Sequence, residues 1–170
     1  VRNKPQTVSL LKTQYRMNDE IMQFSSDWFY GGMLKSAPEV KYRSILDYDT
    51  PIIWVNTEGM DCNEEFIGDS YGRINKQEAE LSIGKLKEYI DKIGRERFLD
   101  ERIDIGVISP YKAQVQYLRQ LIRKDSYFKP YRQFITVNTV DGFQGQERDI
   151  ILISLVRANE DGNIGFLKDL

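Results

Sequence analysis

Apolar residues at 79, 83, 86, 90 and 93 recur at spacings of four and three, the period that lines one face of an α-helix. Asn75, with Glu78 three residues on, is a capping-box-like start with Asn in place of Ser or Thr, and Gly94 is the stop. A second helix is predicted over roughly 20–30, capped by Asn18 or Asp19. Ile21, Phe24, Trp28 and Phe29 form its apolar stripe, and Gly31-Gly32 ends it. A third helix runs from about Lys112 to Lys124.

Shorter continuous apolar runs read as buried strands: Ile52–Val55 behind Pro51, Ile103–Ser109, Phe134–Val140 and Asp149–Val156. Residues 1–17 are a mixed segment, Glu58–Arg73 a polar surface loop and Arg95–Asp104 a charged, solvated connector. Strand, helix, strand in sequence is the rhythm of crossovers on a parallel sheet, and strands that are apolar throughout fit a sheet with helices on both faces. The expected fold is an α/β three-layer sandwich with a mostly parallel sheet, built as a single domain over residues 1–170. The connector Asp141–Arg148 is too short for a full helical crossover, which leaves the direction of the last strand open.

Charge and composition mainly exclude. The net charge of −2 rules out a chain that is a polycation throughout, so any nucleic-acid contact must come from a local patch. No apolar run approaches the roughly 20 residues of a membrane helix, and the first residues do not form a signal peptide, so an intracellular protein without membrane contact is expected. With no histidine and Cys62 as the sole cysteine, there is no zinc site of normal ligand count, no internal disulfide and no histidine-activated nucleophile. Carboxylate-bound magnesium and chemistry run by arginine, lysine and backbone groups remain.

In parallel α/β sheets ligands bind beyond the carboxyl ends of the strands. Three segments stand there or near it: Gln14-Tyr15-Arg16-Met17; Ser109-Pro110-Tyr111-Lys112-Ala113-Gln114; and Asn138 through Glu147, which holds Gly142 and Gly145. Glycines allow close backbone approach or positive φ, and the amide and carboxylate side chains around them suit hydroxyls or ribose. Each segment taken singly also reads as ordinary structure. Tyr15-Arg16 would then be a packed tyrosine beside a surface arginine, Pro110 a normal first-turn proline, and the glycine segment a tight turn facing water. The stretch from Lys112 to Phe134 carries six basic residues against one acid, Asp125, with five aromatic residues interleaved. Such a tract tracks phosphates and stacks bases, but a solvated helix face is the commoner reading. No Gly-x-x-x-x-Gly-Lys-Ser/Thr segment occurs, so a self-sufficient nucleotidase is not expected.

Together the three segments resemble the motifs of the second RecA-like motor domain of superfamily-one helicases. The similar branch is that of the nonsense-mediated-decay helicase, senataxin and the Mu-binding-protein helicase. Gln14-Tyr15-Arg16-Met17 is similar to its QYRM motif, and Val107 through Gln114 to its strand–S/T-P-Y-x-x-Q motif. Thr139 through Glu147, running on through Ile151-Leu152-Ile153-Ser154-Leu155-Val156-Arg157-Ala158-Asn159, is close to its most recognisable signature.

The resemblance implies an ATP-dependent DNA or RNA helicase or translocase moving 5′ to 3′ on single strands. Tyr15 would stack on the adenine and Arg16 would reach the γ-phosphate as an arginine finger. Glu147 would bond the ribose, with Gly145 giving it close approach. Ser109, Tyr111, Asn138 and Thr139 lie where the family grips the nucleic-acid backbone, and Arg157 in a region of interdomain coupling. The cofactor would be ATP with Mg2+, the metal held mainly by an upstream RecA-like domain carrying the P-loop. That partner domain, and a downstream arginine motif, would make this chain a fragment of a larger helicase, inactive when isolated. An alternative remains: a catalytically inactive RecA-like module that binds nucleic acid or protein.

Overall fold

The structure is a computed structural model that describes residues 9–68 and 72–165. The first eight residues of the expected mixed segment, and part of the expected 58–73 loop, lie outside the described residues. The chain divides into two compact units, one ending at Val55 and one beginning at Asn56.

The first unit holds strand β1 (Thr13–Gln14), helix α1 (Asp19–Phe29) and strand β2 (Lys35–Ser36). β1 and β2 pair in parallel, Gln14 opposite Ser36. Asn18 caps α1, its side-chain oxygen accepting from the Glu20 N–H, and Gly31 and Gly32 end the helix with φ of 57° and 72°. The helix is where the pattern places it, but its predicted stripe is not the buried face. Met22 and Ser26 are buried, whereas Phe24, Trp28 and Phe29 are 61–75% exposed. The three aromatic rings gather on one another, Phe24 to Trp28 at 6.1 Å and to Phe29 at 6.4 Å. Small Ser26, donating to the Leu34 carbonyl at 3.1 Å, lets the following chain approach, which a larger apolar residue would prevent. Ile52–Val55 is not a strand: it has no ladder partner among the described residues, and Trp54 is 76% exposed. An apolar run becomes a strand only where a neighbour meets its backbone groups.

The second unit begins with a hairpin, β3 (Glu65–Ile67) antiparallel to β4 (Gly72–Ile74). This corrects the expected loop. The strands are three residues long, too short for an alternation to stand out, and side-chain pairing braces them. The Arg73 guanidinium lies 4.0 Å from the centroid of Phe66 and pairs with Glu64.

Helix α2 (Lys76–Ile93) follows the predicted pattern closely, with Ala79, Ile83, Leu86, Ile90 and Ile93 all buried and Gly94 closing it at φ 84°. The expected solvated connector contains a further helix, α3 (Arg95–Asp100). Its anchor is Phe98, fully buried and packed edge-to-face on Tyr131 at 5.0 Å. One aromatic in a charged run leaves no period to read.

Strand β5 (Ile105–Ser109), helix α4 (Lys112–Lys124), strand β6 (Ile135–Thr139) and strand β7 (Ile150–Ile153) complete the unit. The sheet is β6-β5-β7, all parallel, a RecA-like α/β arrangement. The open direction of the last strand is thereby settled. The connector leaves β6, makes one turn of 3-10 helix at Asp141–Phe143 and reaches the other side of β5 without a long helix. Helix α4 lies against β5 and β6, burying Val115, Leu118 and Ile122 while Ile105, Val107 and Val137 are buried in the strands. On the other sheet face Phe143 lies over Gly106, where a Cβ would stand 2.9 Å from its ring. Ile151 and Ile153 stay 45% and 58% exposed on that face.

Candidate functional site

The QYRM segment is the turn between β1 and α1. Gln14, last residue of β1, directs its side chain back under the turn. Its Oε1 accepts from the Arg16 N–H at 2.8 Å and the Met17 N–H at 2.7 Å; its Nε2 donates to the Met17 carbonyl and to Ser36 Oγ, both at 2.7 Å. Asn18 secures the far end, donating to the Arg43 carbonyl while it caps α1. Tyr15 and Arg16 therefore share one braced turn, with the Tyr15 ring 70% exposed and Arg16 also on the surface.

The four candidate nucleic-acid residues come together at the carboxyl edge of the sheet. Ser109 is the register partner of Thr139, and Ile108 of Asn138. Their side chains differ in availability. Ser109 is fully buried and its hydroxyl accepts from the Tyr111 N–H at 3.4 Å. Asn138 accepts from the Thr139 N–H, and Thr139 Oγ1 from the Gly142 N–H. The Asn138 side chain also lies where a Cβ on Gly142 would sit, so any other residue there would require Asn138 to shift. Ser109, Asn138 and Thr139 thus shape the two turns, and Tyr111 is half-buried beside them.

Gly145 adopts φ 79°, a left-handed conformation that costs other residues about 1 kcal/mol or more. Glu147, two residues on, is exposed. Arg148 braces this connector: it donates to Gln146 Oε1 at 2.7 Å and to the Glu147 carbonyl, and its guanidinium lies 5.5 Å from the Phe143 ring centroid.

Sequence reasoning missed a buried polar network behind β5 and β7. Gln114 and Asn75 exchange two hydrogen bonds, Asn75 N–H to Gln114 Oε1 and Gln114 Nε2 to the Asn75 carbonyl, each 2.9 Å. Gln114 Nε2 also donates to Ser154 Oγ. Glu78, the expected return arm of the capping box, turns away from Asn75. It accepts instead from the Ser154 hydroxyl at 2.7 Å and the Val156 N–H at 3.0 Å. Val156, fully buried, is held at φ 74°, a conformation that costs a β-branched residue on the order of 1–3 kcal/mol. Glu78 on its N–H and Asn75 Nδ2 on its carbonyl, at 3.2 Å, over-determine it. The sequence offered these residues separately, Asn75 and Glu78 as a helix start and Gln114 within the segment after β5, with nothing to join them in one network.

Arg157, next in the chain, turns inward. Its side chain is 5% exposed, and its Nε is 3.2 Å from Glu64, itself 8% exposed and also paired with Arg73. Arg157 further donates to the Asn163 carbonyl. Among the described residues no cluster of three or more cysteine, aspartate or glutamate side chains would hold a metal ion. No helix among them is long and apolar enough to cross a membrane.

A family model described as an AAA domain matches residues 1–170. The chain is 37% identical over 180 residues to the DNA polymerase alpha-associated DNA helicase A of Saccharomyces cerevisiae, covering 98% of this chain. It is 37% identical over 169 residues to a Regulator of nonsense transcripts 1 homolog of Drosophila melanogaster, and 34% identical over 173 residues to the ATP-dependent helicase NAM7 of Saccharomyces cerevisiae, each covering 94% of this chain. The chain belongs to the superfamily-one helicases of this branch. It spans 25%, 13% and 16% of the length of those three relatives, so within the family it corresponds to part of a helicase.

Proposed function

We propose that this domain is the second motor domain of an ATP-dependent helicase or translocase, supplying to ATP the residues that a P-loop domain lacks. The observation that carries the reading is the braced turn that presents Tyr15 and Arg16 side by side at the surface. An exposed aromatic face next to a guanidinium suits a nucleotide, the ring stacking on the base and the guanidinium meeting phosphate charge. ATP, bound with Mg2+ held by a P-loop domain, supplies the phosphoryl group to be transferred. Arg16 stabilises the charge that develops on it, a contribution of about three to five decades in rate for arginine fingers. Glu147 accepts from ribose hydroxyls, and Gly145 frees the backbone beside it. Tyr111 and the Ser109–Thr139 edge of the sheet form part of the single-strand track, with Asn138 holding the turn in shape. Movement is 5′ to 3′ along DNA or RNA.

With no phosphate-cradling glycine-lysine loop in its sequence, the 170-residue chain alone is expected to release no phosphate from ATP, even with single-stranded DNA or RNA present. A malachite-green assay reads this directly. Turnover above a buffer blank that persists through repurification contradicts the reading.

A further inference from the structure

The QYRM segment contains a residue to which nothing above assigns a chemical task. Gln14 has no path to the reaction of its own, because its amide is spent on the turn. Its oxygen takes two successive backbone N–H groups, those of Arg16 and Met17, and its nitrogen ties the Met17 carbonyl and Ser36 Oγ. Four bonds from one amide use its full capacity of two donors and two acceptor lone pairs. The bond to the Arg16 N–H fixes the backbone of that residue, and the bond to Ser36 ties the turn to the neighbouring strand β2. The β1–β2 pairing, with the Ala37 N–H donating to the Gln14 carbonyl at 2.8 Å, gives the amide a rigid base. Arginine is a long side chain on an exposed turn, and its delivery of charge to one point depends on where its Cα is held.

We propose that Gln14 is a positioning residue for Arg16, and that Ser36 is the anchor through which β2 sets it. The proposal rests on the arginine-finger reading above. Glutamine is suited to the task because one planar amide both accepts from the turn and donates across to Ser36. Leucine, of similar size, does neither. A misplacement of about 1 Å in a reacting group costs roughly a hundredfold in rate, so a loosened turn shows first in turnover.

The test is a double-mutant cycle in the intact polypeptide that contains this domain. Steady-state ATPase is measured with saturating single strand, and ATP affinity with a fluorescent analogue. Gln14→Leu should lower kcat about tenfold or more and change nucleotide affinity by less than threefold. Ser36→Ala, a milder change at the same contact, should lower kcat a few-fold and serves where Gln14→Leu does not fold. In an Arg16→Ala background both substitutions should leave kcat within twofold, since the group they position is gone. Three results overturn the proposal. One is normal turnover by Gln14→Leu and Ser36→Ala while Arg16→Ala is slow, which leaves the finger intact and removes its brace. Another is a loss that multiplies fully in the Arg16→Ala background, which makes the amide a structural residue only. The third is normal turnover by Arg16→Ala itself, which removes the finger and the brace together.

Discussion

Single residues here do their work in buried pairs that the linear pattern hides. Glu64 lies in a polar stretch that reads as surface loop, yet it is 8% exposed and holds two arginines, Arg73 and the 5%-exposed Arg157. Removing one partner of such a pair strands the other charge, at a cost of about 3–5 kcal/mol. Glu64→Ala is therefore expected to destabilise the chain by about 3 kcal/mol or more in urea unfolding, and Glu64→Gln by less, because an amide still accepts from a guanidinium. A loss below about 1 kcal/mol for Glu64→Ala contradicts the burial of Arg157. Arg157 itself was expected from family resemblance in a coupling region; its immediate role in the structure is to tie the segment after β7 to the Glu64–Arg73 pair.

Elements were legible in proportion to how local their determinants are. Helix α2 carries its cap, its stripe and its glycine stop within twenty residues, and all three hold in the structure. Helix α3 depends on a distant partner, Phe98 on Tyr131. The β3–β4 hairpin and the buried face of α1 rest on pairs seven to nine residues apart, Arg73 with Phe66 and Glu64 and Ser26 with Leu34, which repeat no helical or strand period. The basic, aromatic tract divides in the same way. Arg119 is spent on the Val137 carbonyl, and two of the five aromatic residues, Phe128 and Tyr131, belong to the core.

Tyr127, in the same tract, fastens the turn after α4 to α2. Its hydroxyl lies 3.2 Å from the Lys87 carbonyl and 2.5 Å from Asp91 Oδ1. Burial first, then the bond to Asp91, pushes its ionisation well above the usual tyrosine value of 10.0. A phenol whose folded pKa is raised contributes stability that is fully present below about pH 10 and fades as the pH rises from there through the folded value. Tyr127→Phe should therefore cost about 1 kcal/mol at pH 7 and flatten the alkaline decline above pH 10. Urea unfolding of both proteins between pH 7 and 11 reads the difference; parallel declines contradict the assignment.

At the scale of the molecule, the family was legible in the sequence. Three short motifs in order pointed to the superfamily-one helicases, and the family match spans residues 1–170. The net charge of −2 excluded a generally basic binder but said nothing of which side chains are spent on turns. The braces Gln14, Asn138 and Arg148 emerge only when hydrogen bonds are traced.

The claim on which the account turns is that Arg16 acts on the charge of the transition state while Tyr15 acts on bound nucleotide throughout. The measurement is a pair of titrations, nucleotide affinity and steady-state ATPase with saturating single strand, on Tyr15→Ala, Arg16→Ala and Arg16→Lys in the intact polypeptide. Tyr15→Ala should weaken nucleotide affinity about tenfold or somewhat more, by analogy with the 1–3 kcal/mol of a stacked base. Arg16→Ala should leave affinity largely intact while turnover falls about a thousandfold, and Arg16→Lys should restore little because a flexible point charge does not reproduce the planar fork. Normal turnover by Arg16→Ala would contradict the account at its centre.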